Sequence, residues 1–272
     1  MLAPVITDST NVSAKAVVLE VLSAGESIDH GTLPVRSLVQ AASAFDIAEN
    51  SVRVAIVRLR AEGLLDSPSR GAYCLGPSAQ VVNDKIHGWR TVSHRVGAWD
   101  GSWLAVFTAD LSRTDRPALR RRTRALRYLG FKELRTGLFV RPDNLKPGLD
   151  GIREELVAFG MAPDTLVFRL DDLSVDHEHA AHALWDSPTL EKNYARLYDD
   201  LTVSLDRLDE IPLQDSIREV FLLGREGIKH VVLDPLLPEP LVNERNRTSM
   251  VTTLHQYCDR GLDLWRRFLG LT

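Results

Sequence analysis

Apolar positions in this chain recur first at helical spacing, then in short extended runs, then at helical spacing again. Val17, Val18, Val21 and Leu22 mark the inner face of a helix over about residues 14–24, with Ser13 placed to cap it. Pro34 stands where a first-turn proline is tolerated and opens a second helix, with Val35, Leu38, Val39 and Ala42 inward. Phe45-Asp46-Ile47 makes the turn into a third, where Val52, Ala55, Ile56 and Leu59 fall at i, i+3, i+4 and i+7. Gly63 stops that helix, and two short apolar runs bracket the sequence SPSRG. Three short helices followed by a hairpin, within about residues 13–76, predict a winged helix-turn-helix.

The pattern changes after Gly76-Pro77. Residues 77–100, with Lys85, Arg90 and Arg95 among Trp89 and Trp99, read as a connector holding at least one short helix or strand. Strands are expected at 104–108, 136–140 and 166–170, alternating with helices at 117–129 and 149–159 that Gly130 and Gly160 end. That alternation predicts a small ferredoxin-like βαββαβ domain in which one strand stays unplaced. From about Val175 onward the chain reads as helical. One helix begins at Ser187-Pro188, a second begins at Pro212, and a last one carries Met250, Leu254, Tyr257, Leu262, Trp265 and Phe268. Pro235, Pro238 and Pro240 make the stretch between the last two an irregular connector. The expected fold class is α+β: a winged-helix domain over 1–80, a connector and ferredoxin-like domain over 81–174, and a mostly helical domain over 175–272 for dimerisation or effector binding.

Composition narrows the function classes. A formal net charge of −4 argues against a chain that coats nucleic acid indiscriminately, but leaves room for a local basic face. Cys74 and Cys258 are the only cysteines, so no disulfide framework is indicated and a reducing cytosol is expected. The first residues lack a basic run and a long apolar stretch, so a cytoplasmic protein without membrane attachment is expected.

The third helix carries the candidate chemistry. A helical wheel places Asn50, Val54 and Val57 outward, flanked by Arg53 and Arg58. Asn can read adenine, Arg can bind guanine edges or phosphates, and aliphatic groups can meet thymine methyls. Ser51 joins this set, Arg60 lies nearer the edge and suits backbone contact, and Arg70 at the hairpin tip would reach phosphate or the minor groove. Tyr73 is expected to pack. The expected DNA-contacting set is therefore Asn50, Ser51, Arg53, Val54, Arg58, Arg60 and Arg70.

Four stretches occur in order: IAENSVRVAIVRLRAEGLL, WDGSWLAVF, RALRYLGFKELRTGLFVRP and LDPLLPEPL. Together they resemble the PaaX family of bacterial transcriptional repressors over about residues 14–268. The resemblance implies a homodimer that represses an operon of aromatic-acid catabolism by binding double-stranded operator DNA. It also implies release by an aryl-CoA thioester such as phenylacetyl-CoA. Ala48, where a serine-like cap is common, and the weakly basic hairpin SPSRGAY depart from the family pattern.

Other constellations admit more than one reading. Arg113, Arg116, Arg120, Arg121, Arg122, Arg124 and Arg127 crowd one helix. They can form a solvated face, contact DNA phosphates, or bind the phosphates of a coenzyme A ester, with Arg120, Arg121 and Arg124 as the effector candidates. His179 and His182 stand at i, i+3 within Asp176-His177-Glu178-His179-His182, but lack the HExxH register, so a solvated helix start is expected there and no metal. Asp110 follows the first strand of a domain similar to ferredoxin-like CRISPR nucleases, which carry a metal-binding aspartate near such a place; a turn residue is expected. No GxSxG elbow, P-loop or GxGxxG occurs, so no catalytic residue and no cofactor are expected. The competing classes are a metal-dependent nuclease or CoA-ester hydrolase, and a winged-helix adaptor that binds protein. Trp185, Tyr194, Tyr198, Phe221, Tyr257 and Trp265 are expected mostly in the core and a dimer interface.

Overall fold

The computed structural model describes residues 12–29, 31–80, 83, 88–112, 114–146 and 148–271; the lead-in up to residue 11, Lys85 and Arg113 lie outside them. The chain is a mixed α+β protein, predominantly helical, with two small antiparallel sheets and a helical C-terminal part. It divides into two compact units. The first holds Met1–Arg90, Leu197–Lys229 and Val251–Thr272; the second holds Thr91–Arg196 and His230–Met250. These units cut across the boundaries expected at residues 80 and 174.

In the first unit, α1 (Ala14–Asp29), β1 (Leu33–Pro34), α2 (Val35–Ser43), α3 (Glu49–Ala61), β2 (Leu65–Ser69) and β3 (Ala72–Leu75) follow one another. Ser13 Oγ accepts from the Ala16 N–H at 3.2 Å, the cap its position predicts. Pro34 does more than open α2: Leu33 pairs with Tyr73 and Pro34 with Ala72, adding a short edge strand in the order β1-β3-β2. Val17, Leu22, Leu38, Ala41, Val52, Ile56 and Leu59 are buried in the core of these helices. Gly63, at φ 68°, ends α3, and its N–H reaches Arg60 O at 3.0 Å. Gly76 then closes the hairpin against it; a Cβ there would stand 2.5 Å from Gly63 O, so no side chain fits.

In the second unit, β4 (Trp103–Phe107), α4 (Arg116–Tyr128), β5 (Lys132–Arg135), β6 (Leu138–Pro142), α5 (Gly148–Ala158) and β7 (Leu166–Leu170) form a four-stranded sheet in the order β5-β6-β4-β7. All its pairings are antiparallel. The strand the sequence left unplaced is β5, and the strand expected at 136–140 begins two residues later because Thr136-Gly137 is the turn. Gly137 sits at φ 78°, and an added Cβ would come within 2.6 Å of Ala109 Cβ. We expect Gly137→Ala to cost about 2–3 kcal/mol, from a disfavoured φ plus overpacking, read as a lower urea midpoint at unchanged m.

Trp103, Ala105 and Val140 from this sheet share a core with Ala181 and Trp185, and with Leu237, Leu241 and Val242 from the proline-rich connector. Arg141 ties that connector down from a fully buried position. It donates to Leu129 O, to Asn144 Oδ1 at 3.0 Å, to Pro142 O at 3.1 Å and to Pro235 O at 3.3 Å. Asn144 Nδ2 adds a bond to Leu236 O at 2.7 Å. Burial lowers the Arg141 pKa to about 9, still far above neutrality, so all four bonds are charge-assisted.

Helices α6 (Val175–His182), α7 (Ser187–Arg207), α8 (Leu213–Val232) and α9 (Glu244–Leu269) complete the chain. Of the aromatic set expected in the core, Trp185, Tyr194, Phe221, Tyr257 and Trp265 are buried, whereas Tyr198 is exposed.

Candidate nucleic-acid interface

Helix α3 separates its two faces cleanly. Val52, Ala55, Ile56 and Leu59 are buried, while Asn50, Ser51, Arg53, Val54, Val57, Arg58 and Arg60 are exposed. Val57 is 68% exposed, an aliphatic group in water with no packing reason to be there. Arg53 does not extend freely: its Nε and a terminal nitrogen contact Glu49 Oε1 at 2.8 and 2.6 Å, an i, i+4 pair on the helix surface. Arg58 and Arg60 lie in the last turn of α3, where cations complement the helix dipole. Beyond it, Lys15 of α1 pairs with Glu62 at 2.7 Å. Ala48 gives α3 no side-chain cap.

The hairpin carries Arg70, exposed, at its tip beside Gly71, whose φ of 78° makes the turn. Between Asp66 and Ser69 the ladder is irregular, with Pro68 inside the irregular stretch. Tyr73 is half-buried, and Cys74 faces Asp66 across the hairpin. Burial and, after it, the Asp66 charge raise the Cys74 thiol pKa. Burial takes Cys258 up to about 12. Both thiols therefore stay protonated, the opposite of what a nucleophile needs.

Sequence reading does not reveal what holds the turn before α3. Within the first unit, Arg218 of α8 donates to Ala44 O and pairs with Asp46 at 2.6 Å. Phe221, one helical turn on, meets Phe45 with ring centroids 4.8 Å apart. Asp46 itself sits at φ 57°. Residues 44–46 are thus clamped from α8 by a cation and an aromatic ring.

The arginine-rich segment becomes α4, capped by Asp115, whose carboxylate accepts from the Ala118 N–H at 3.0 Å. Arg120, Arg121 and Arg124 are exposed, and Arg121 runs its stem against Gly160. Arg122, half-buried, and Arg127, also exposed, line a cavity of about 740 Å³ in the second unit, together with Lys132. Phe131, Phe139 and Trp185 give that cavity an apolar wall.

Within the histidine cluster, His177, Glu178 and His182 make local bonds. Trp103 Nε1 donates to both Glu178 oxygens at 3.1 Å, His182 Nε2 lies 3.2 Å from Glu178, and His177 Nδ1 lies 2.8 Å from Ser174 Oγ. Among the described residues no three His, Cys, Asp or Glu side chains gather into a metal-binding group. Asp110 lies exposed in the turn after β4. No helix among the described residues is long and apolar enough to cross a membrane.

A three-helix unit closed by a hairpin, with one cationic and aliphatic helix face left in water, is thus what residues 13–77 build. That same segment matches the family model described as PaaX-like protein, so over residues 13–77 the sequence resemblance is found independently. No curated protein matches the chain. Among solved structures it is similar to the uncharacterized protein Rv0674 from Mycobacterium tuberculosis, with a TM-score of 0.67 and 21% identity, covering 95% of this chain and 99% of that one. That likeness concerns the fold alone.

Proposed function

We propose that this protein is a DNA-binding transcriptional repressor of the PaaX type, acting in the cytoplasm and without catalytic activity. The observation that carries the reading is the outward face of α3. Asn50, Arg53, Val54, Val57 and Arg58 stand together in water on a helix whose other face is wholly buried. In this reading α1–α3 and the β2–β3 hairpin are a winged helix-turn-helix. α3 enters the major groove, and Ser51, Arg60 and Arg70 contact backbone or the minor groove. The strand order β5-β6-β4-β7 supports a ferredoxin-like second unit.

Reading a pseudo-palindromic operator takes two α3 helices, so the protein acts as a homodimer. Exposed Tyr198, Val203 and Leu222 on α7 and α8 support dimerisation through the C-terminal helices. The family resemblance supplies the effector class, an aryl-CoA thioester, and a catabolic operon for aromatic acids as the target. The 740 Å³ cavity is of the size that holds such ligands, and Arg122 and Arg127 line it and can offer cations to phosphate there, whereas Arg120, Arg121 and Arg124 do not line it.

A gel shift with the promoter beside its own gene, with and without candidate CoA thioesters, tests the reading. A shift at physiological salt that survives excess unrelated DNA is expected; retardation no stronger than on unrelated DNA overturns it. The Glu49 pair adds a second expectation. Arg53 must exchange Glu49 for a base or phosphate when it binds, and Glu49 itself repels the DNA backbone. Glu49→Gln should therefore raise affinity for any duplex by about 3- to 10-fold at low salt. An unchanged or weaker titration would place Arg53 away from the DNA.

A further inference from the structure

Helix α4 of the second unit carries six arginines in 13 residues and no acid or lysine, in a chain whose formal net charge is −4. At 3.6 residues per turn, Arg116, Arg120, Arg124 and Arg127 fall within about 80° of one another, in a row about 16 Å long. All four are exposed, and the helix turns Ala125 and Leu126 to the interior instead. Among the described residues, Arg116, Arg120 and Arg124 have no carboxylate partner, whereas Arg95, Arg153 and Arg169 of the same unit each have one. Asp115, next to the row in sequence, is engaged as the cap of the helix. Like charges three and four residues apart repel, so the row weakens the helix that carries it.

The form of the row selects its partner. Guanidinium forks match phosphate oxygens, and a straight file of them matches an anion that repeats. A small phosphate ligand needs a concave site, and none of Arg116, Arg120 and Arg124 lines the 740 Å³ cavity. A helix that lies on an anionic bilayer needs an apolar face beside its basic one, and α4 exposes no large apolar side chain. A single strand needs rings on which its bases can stack. Tyr128, the one aromatic residue of α4, is already stacked on Phe159, with centroids 5.3 Å apart. A duplex asks for none of these features: its phosphates present one charge per about 1.7 Å of axis.

We propose that α4 is a second duplex-binding element, which grips the phosphate backbone of DNA without reading its bases. The row holds arginine alone, with no Asn or Gln to distinguish one base pair from another, so it adds affinity and not sequence preference. Covalent linkage to α3 makes this contact intramolecular once α3 has bound. The choice of DNA as the polyanion rests on the DNA-binding reading above; the phosphate-binding row rests on α4 alone.

Salt titrations of duplex binding by the full-length protein test the row. The triple variant Arg116→Gln, Arg120→Gln, Arg124→Gln keeps helix propensity and should hold or raise the thermal midpoint. At about 0.15 M salt it should bind the promoter fragment at least about 10-fold more weakly, and the slope of log K against log salt should fall by about 2–3, roughly 0.9 for each lost phosphate contact. The ratio of promoter to unrelated DNA should stay within about 2-fold of wild type, because phosphate contacts carry no sequence information. The matching triple exchange to lysine keeps the charges and should keep the slope. An unchanged slope in the glutamine variant, or the same fall in the lysine variant, overturns the row and leaves the α3 reading standing. Equal wild-type affinity for promoter and unrelated duplex, with the slope still falling in the glutamine variant, refutes the repressor reading and leaves the row standing. Full DNA affinity with a lost response to phenylacetyl-CoA would assign these arginines to an effector and overturn the proposal. A greater loss on an RNA duplex of equal length than on DNA would make RNA the partner and overturn it as well.

Discussion

Exchanging Arg53 and Arg58 for alanine is expected to lower affinity for the operator by about 30- to 25,000-fold at physiological salt while leaving the fold intact. The range follows from about 1–3 kcal/mol for each bidentate base contact, taken twice. Both side chains are exposed on α3, and alanine is the best helix former, so stability should stay within about 0.5 kcal/mol of the wild type. The Arg53–Glu49 pair, half in water, adds little to the helix and is no obstacle to that expectation. A loss of affinity at constant thermal midpoint assigns these residues to DNA. A matching fall in thermal midpoint would assign them to packing. Arg70→Ala is the contrasting case. In the proposed reading it would meet backbone or minor groove from the hairpin tip, so its loss should weaken all sequences alike by a few-fold and reduce the salt slope by about one.

Replacing Arg141 by leucine is expected to cost on the order of 3–5 kcal/mol, enough to unfold much of the second unit. Leucine fills most of the volume but answers none of the acceptors. Leu129 O, Pro142 O, Pro235 O and Asn144 Oδ1 would lose their donor, and three of these are backbone carbonyls that no rotamer change can withdraw. The cost is therefore one of stranded acceptors, unlike the removal of a whole ion pair, which can be nearly neutral. Asn144→Ala, which removes the bond to Leu236 O, should cost less, about 1–3 kcal/mol. Urea unfolding followed by tryptophan fluorescence, with Trp103 and Trp185 in the affected core, checks both. A midpoint for Arg141→Leu within about 1 kcal/mol of wild type would mean that water replaces the guanidinium.

What the sequence reveals depends on whether a residue's own neighbours decide its state. The four apolar positions of α3 lie one helical repeat apart and declare their buried face. Strand β7 falls on the residues expected, because LVFRL is short, apolar and bounded by turn signals. Strand β5 escapes notice because KELR, at the sheet edge, buries only Leu134 and shows no clear alternation. Strand β1, two residues long, exists only because β3 comes to it. The candidate site divides the same way. The exposed face of α3 can be drawn on a helical wheel from sequence, and so could the i, i+4 pairing of Glu49 with Arg53. Which arginines of α4 line a cavity depends on how that helix is rotated against its sheet, and no local pattern encodes the rotation. The clamp of Arg218 and Phe221 on residues 44–46 joins positions more than 170 apart in the chain, which periodicity cannot foresee.

The composition of the first unit has a consequence for biosynthesis. Residues 1–90 leave the ribosome long before 197–229 and 251–272, yet these three pieces make one unit. The helices that would read DNA can form early from local contacts, but the turn that aims α3 lacks its clamp until α8 has been made. A nascent or truncated chain is thus expected to carry α3 without a fixed aim. Only the finished polypeptide acquires the geometry, so fragments left by premature termination or proteolysis should compete poorly for the operator.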